Sequence, residues 1–111
     1  KDMKKKKWGR IVNIGSTSSY SGFKDGAIYC STKHAILGLS RTLHSELKSK
    51  NVRTFCVSPG SIKTEMGKIS DEQDFETFLD PKEIAKYIIF VISFDNELIS
   101  EEIKLNRINP K

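Results

Sequence analysis

The 111-residue sequence predicts an α/β protein built on a parallel sheet. Two observations lead there. Short apolar runs bounded by turn residues alternate with longer runs of helical period, in the order strand, helix, strand, helix, strand. Such alternation implies parallel strands joined by right-handed crossovers. The residues with chemical potential, in turn, fall just after the strand-like runs, at the rim where open α/β sheets hold their ligands.

The first strand is Arg10-Ile11-Val12-Asn13-Ile14-Gly15, an apolar run between turn signals. Ser16 to Ala27 contains five Ser or Thr and two Gly and reads as a loop. Ile28 to Lys50 is the strongest helix, with an apolar stripe at Ile36, Leu39, Leu43 and Leu47 and a stop at Asn51. Val52 to Val57 is the second strand, ended by Pro59 and Gly60. Residues 61–79 look irregular, with a short helix between Asp71 and Leu79. Asp80-Pro81-Lys82-Glu83 has the pattern of a helix start, with Asp as cap, Pro in the first turn and Glu three residues on. Ile84, Ile88, Val91 and Ile92 give that helix a buried face. Glu102 to Ile108 is the last strand, with Ile103 and Leu105 on one side.

Composition argues against several functional classes, nucleic-acid binding through Lys4–Lys7 remaining a third and weaker reading. The net charge of +5 resides in residues 1–10, where six positive side chains face one negative; the rest of the chain balances. A nucleic-acid footprint spreads over a face with interleaved aromatics, whereas Lys4–Lys7 has only Trp8 beside it. That run reads as the solvated last turn of a helix with Gly9 near its C-cap. The longest apolar stretch, Tyr87 to Ile92, is too short to cross a bilayer, and no signal peptide follows the basic run. Cys30 and Cys56 are then read as reduced thiols of a cytoplasmic protein. His34 and His44 lie ten apart on one helix without ligands at metal spacing, so no metal site is expected. No Gly-x-Ser-x-Gly elbow supports hydrolysis.

Ser16 stands thirteen residues before Tyr29, and Tyr29 four before Lys33. On a helical wheel of about 100° per residue, Tyr29 lies some 20° from Ile36 and Lys33 about 40° from Tyr29. Both therefore face the sheet at the edge of the apolar stripe, where a lysine needs a partner or a purpose. Reducing a ketone requires a proton donor for the developing alkoxide. Phenols ordinarily titrate at about pH 10, and lowering one by about three units takes roughly 4 kcal/mol. An ammonium about 5 Å away supplies some 3 kcal/mol of this at an effective dielectric of about 20. Ser16 would hold and polarise the substrate oxygen. The Tyr-x-x-x-Lys spacing alone is not diagnostic among 15 lysines. Tyr20 and Lys24 share it, but in a Ser/Gly-rich loop where no common helix face is expected.

Ile11 to Ser16, Tyr29 to Lys33, and Ser58-Pro59-Gly60 with Thr64 together resemble the short-chain dehydrogenase/reductase family, over most of residues 8–64. The resemblance implies the C-terminal half of a Rossmann-like doubly wound parallel sheet, residues 1–111 forming one partial domain. It implies Ser16, Tyr29 and Lys33 as catalytic residues. Tyr29 and Lys33 would also bind the cofactor, with Pro59, Gly60, Ile62 and Thr64 seating its nicotinamide. The expected activity is NAD- or NADP-dependent interconversion of a small-molecule alcohol and ketone. A homodimer or homotetramer through helix 28–50 is also implied, with Leu37 and Arg41 as contact residues.

The chain also departs from the family pattern. No Thr-Gly-x-x-x-Gly-x-Gly phosphate loop, Asn-Asn-Ala-Gly segment or relay Asn is present, and the nearest glycine string, Ser21 to Ile28, lies between the catalytic Ser and Tyr. The expectation is therefore the catalytic half of a longer enzyme, inactive in isolation. The alternative is a non-catalytic fragment or oligomerisation module unable to bind the dinucleotide.

Overall fold

The computed structural model describes residues 1–63 and 75–108. The described elements are helix α1 (Asp2–Lys6), strand β1 (Gly9–Ile14), helix α2 (Ala27–Leu47), strand β2 (Val52–Pro59), helix α3 (Pro81–Ile92) and strand β3 (Glu102–Leu105). Short 3₁₀ turns occur at Thr17–Ser19, Lys48–Lys50 and Phe75–Thr77. The strands form one parallel sheet in the order β1-β2-β3. Gly9 lies opposite Val52 and Ile14 opposite Val57; on the other side Cys56 meets Glu102 and Pro59 meets Leu105.

Alternation along the strands sends neighbouring residues to opposite faces. Val57 and Ile103 meet Val91 of α3 on one face, with Val12, Ile88, Ile92 and Leu105 packed around them. On the other face Asn13 Nδ2 donates to Ser40 Oγ of α2 at 3.3 Å. The two long helices thus cover opposite faces, the doubly wound arrangement that the resemblance implies. β2 is the central strand, and apart from Arg53 every residue in it is buried. A central parallel strand has no solvent side, so even its Thr54 and Ser58 are buried.

Helix ends follow local chemistry. Asp80 Oδ1 accepts the Lys82 N–H at 2.9 Å and Pro81 opens α3, as the sequence suggests. At the other end of α3, Arg10 from β1 donates to the carbonyls of Ile92 and Phe94 and pairs with Asp95 at 2.7 Å. A cation at that position satisfies orphan carbonyls and complements the helix dipole. Asn51 adopts a left-handed conformation (φ 53°) and stops the turn after α2, as expected. Lys7, also at φ 53°, closes α1. Gly9 is therefore not a cap but the first residue of β1. A Cβ there would lie 2.5 Å from Met3 Sδ, so the close approach of α1 requires glycine.

Two further expectations need correction. The inward face of α2 is made by Cys30, Leu37 and Ser40, while Leu39 is 54% exposed. Cys30, Leu37, Ser40 and the half-buried Leu47 share an arc of about 100° on the wheel, and Leu39 falls outside it. Ser40 is tolerated inside because Asn13 offers it a partner. Leu37, expected at a subunit contact, instead packs within this chain; Arg41 is exposed but ion-paired to Glu102. The last strand is also shorter than Glu102–Ile108. β2 ends at Pro59, Gly60 N–H donates to Leu105 C=O at 2.8 Å, and among the described residues no neighbouring strand continues the ladder. Arg107 turns away to stack over Phe78 and bond Thr77 Oγ1. Of the helix expected between Asp71 and Leu79, only the Phe75–Thr77 turn falls within the described residues.

Candidate active site

Ser16 follows β1 directly and caps the turn Thr17–Ser19. Its Oγ accepts the Ser18 N–H at 3.0 Å, and its own N–H donates to Ser19 Oγ at 3.2 Å. This reciprocal capping fixes Ser16 twice. Because its oxygen is used as an acceptor, the hydroxyl proton remains for an incoming oxygen. Gly15 is needed just before it: a Cβ there would lie 2.9 Å from both Ser19 Oγ and Ser58 Oγ.

Tyr29 and Lys33 sit in the first two turns of α2. The Lys33 ammonium lies 5.5 Å from the centroid of the Tyr29 ring, which the four-residue spacing brings about. Tyr29 is half exposed and its ring meets Phe23 at 6.2 Å. It therefore stands at the rim rather than against the sheet. Lys33 is half-buried, and among the described residues no carboxylate pairs with it. A cation held this way can donate to neutral oxygens such as a sugar diol.

Ser16, Tyr29, Phe23, Gly60 and Ser61 line one cavity of about 350 Å³. The structure thus brings together the hydroxyl, the phenol and the end of β2; Lys33 does not line this cavity and is linked to it through its approach to the Tyr29 ring. Pro59 is buried at the end of β2, and a Cβ on Gly60 would make ordinary contacts with Leu105 O at 3.7 Å and Thr17 Cγ2 at 3.9 Å. Ile62 pairs with Leu79 in a single parallel bridge outside the three strands. Thr64 lies outside the described residues. A larger cavity of about 640 Å³ runs between α3 and β3 and includes none of these groups.

Sequence reasoning missed one polar cluster beside the site. Glu102 at the start of β3 accepts both Nε (2.6 Å) and Nη2 (3.0 Å) of Arg41, and the Tyr20 hydroxyl at 3.1 Å. Lys104, not Lys24, lies over the Tyr20 ring, at 4.6 Å. Arg41 holds the Glu102 carboxyl below the usual carboxylate range, and the Tyr20 hydroxyl adds to this against the effect of burial. Burial, followed by the bond to Glu102, pushes the Tyr20 hydroxyl up to about 12. No local signal marks these partners, because 82 residues separate Tyr20 from Glu102.

Comparison with known proteins identifies the family. The family model described as short chain dehydrogenase matches residues 1–74. The 3-oxoacyl-[acyl-carrier-protein] reductase FabG of Vibrio cholerae is 34% identical over 109 residues, covering 90% of this chain and 45% of the reductase. The FabG of Aquifex aeolicus is 32% identical over 100 residues, covering 82% of this chain and 40% of that protein. Among solved structures, ElxO with NADP bound superposes with a TM-score of 0.79 at 31% identity, over 95% of this chain and 48% of that one. The chain spans less than half the length of these relatives. Among the described residues no helix is long and apolar enough to cross a membrane.

Proposed function

The chain belongs to the short-chain dehydrogenase/reductase family, and on that premise we propose that the protein carrying it interconverts an alcohol and a ketone with NAD or NADP. The observation that supports this most is the shared cavity of Ser16 and Tyr29, with the Lys33 ammonium 5.5 Å from the Tyr29 ring.

The residues present fit a nicotinamide nucleotide. A half-buried lysine with no carboxylate partner among the described residues suits a ribose diol, and the cavity of about 350 Å³ that Gly60 helps to line admits a flat ring. Lys33 and Tyr29 would hold the ribose, while Pro59, Gly60, Ile62 and Thr64 would seat the ring. When bound, that group supplies or takes up the hydride at the carbonyl carbon. In the reducing direction the Ser16 hydroxyl donates a hydrogen bond to the substrate oxygen and fixes its position. The Tyr29 O–H bond then breaks and its proton goes to that oxygen, while the C=O π bond becomes a C–O single bond. Lys33 steadies the phenolate left behind. Oxidation runs the same steps backwards.

The phosphate-binding residues of such a cofactor have no counterpart in this chain, so the proposal is for a longer protein of which residues 1–111 form the catalytic half. We extend the proposal to a homodimer or homotetramer through α2. Ile28 and Leu39, both exposed on one side of that helix, take the contact role expected of Leu37. Sedimentation of the full-length protein as a monomer would remove the assembly reading.

The catalytic test uses the full-length protein, a 3-oxoacyl thioester as ketone, and NADPH or NADH oxidation as readout. Tyr29→Phe should lower turnover by about 10²–10⁴-fold, the usual contribution of a positioned general acid, while leaving cofactor binding largely intact. Lys33→Ala should weaken both. Wild-type turnover by the Phe variant, on a ketone that the unmodified protein reduces, would refute the assignment.

A further inference from the structure

Ser16 and the Tyr29–Lys33 pair reach the cavity from different segments, joined by the exposed stretch Ser21–Asp25. Each segment has one polar side chain pointing to the same carboxylate. Tyr20 is the C-cap of the turn that Ser16 opens, only four residues on. Arg41 lies on the helix of Tyr29, two turns beyond Lys33. Glu102 accepts from both, at 3.1 Å from the Tyr20 hydroxyl and 2.6 and 3.0 Å from the Arg41 guanidinium. We infer that Glu102 is a positioning residue for the reaction: one carboxylate on β3 sets the separation between the substrate-polarising hydroxyl of Ser16 and the proton-donating phenol of Tyr29. This inference rests on the catalytic reading above.

The chemistry suits a clamp rather than a catalyst. Glu102 does not line the Ser16–Tyr29 cavity, and both its oxygens are engaged. The fork of Arg41 fixes the plane of the carboxylate, which leaves a defined direction for the Tyr20 bond. The groups around the carboxylate come from all three elements: the charged Arg41 on α2 and Lys104 on β3, and the neutral Tyr20 hydroxyl on the loop. The low proton affinity of Glu102 and the high one of Tyr20 both favour this arrangement near neutral pH. Groups that must meet one substrate atom lose rate steeply when displaced by a fraction of an ångström.

The test measures kcat, KM and NADPH affinity for Tyr20→Phe, Glu102→Gln and the double variant of the full-length protein, with Tyr29→Phe as reference. Tyr20→Phe removes one hydroxyl and leaves the ring and the Arg41–Glu102 pair. It should lower kcat about 10-fold, with KM and NADPH affinity within about 2-fold, because alignment is felt in the transition state. Glu102→Gln should do the same or more. The double variant should be no worse than Glu102→Gln, since both changes break one unit. A merely structural pair would lower melting temperature without this kcat-specific loss. Wild-type kcat in Tyr20→Phe, or losses that multiply in the double variant, would overturn the clamp while an inactive Tyr29→Phe left the catalytic assignment standing. An active Tyr29→Phe would bring down both.

Discussion

Gly15→Ala offers a direct test of how the catalytic serine is seated. The new Cβ would lie 2.9 Å from Ser19 Oγ, 2.9 Å from Ser58 Oγ and 3.2 Å from Cys56 Sγ, where ordinary contact begins at 3.4 Å. Two hydroxyls must therefore yield by about 0.5 Å. They have little room: Ser19 is 1% exposed, and Ser58 and Cys56 are fully buried. Overpacking of this kind costs about 1–3 kcal/mol. If Ser19 moves, its bond from the Ser16 N–H is lost as well, at a further ~1 kcal/mol. The expected destabilisation is about 2–4 kcal/mol, read as a lower urea midpoint at unchanged slope. Turnover at saturating substrate should fall too, because Ser16 is displaced with its anchor. Ser19→Gly added to Gly15→Ala should return part of the stability by making room, without restoring the Ser16 bond. A change below about 0.5 kcal/mol for Gly15→Ala, the size of an ordinary surface substitution, would refute the packing argument.

The reassigned face of α2 predicts a contrast between neighbours. Leu37→Ala should cost about 2–5 kcal/mol as a core truncation, and Leu39→Ala no more than about 0.5 kcal/mol in the monomer; equal losses in denaturant titrations would contradict the assigned face. The Glu102 cluster predicts an acid limb. A carboxyl whose folded pKa is lowered contributes its stability in full above its ordinary value of about 4.5 and loses it as pH falls through the lower folded value. Glu102→Gln should therefore flatten the decline in melting temperature below about pH 4.5, although Asp95, held down by Asn51 and Arg10, keeps part of that slope. An unchanged acid limb in the Gln variant would show that the carboxylate is not paired in solution.

The alternation of strand-like and helical segments was legible because each element carries its own period. The apolar run at β2, the Asp80-Pro81 start of α3 and the Asn51 stop are local signals, and each stands where the sequence suggests. Ser16, Tyr29 and Lys33 were legible through their spacing, since a four-residue step on a helix dictates proximity. The sequence by itself therefore determined the strand order along the chain, the family and the three candidate catalytic groups. What only the tertiary structure decided is which side of each element faces inward and which distant groups meet. Leu37 is buried in place of Leu39, and Ser40 shares the inward arc because Asn13 on the sheet beneath α2 gives its hydroxyl a partner. β3 stops at Leu105 because β2 ends at Pro59, and a strand lasts only as long as its neighbour offers hydrogen bonds. Tyr20, Arg41 and Glu102 converge for the same kind of reason. Their contact depends on the parallel pairing of β2 with β3, which brings residues more than 60 positions apart to one point, and no local pattern encodes such a meeting.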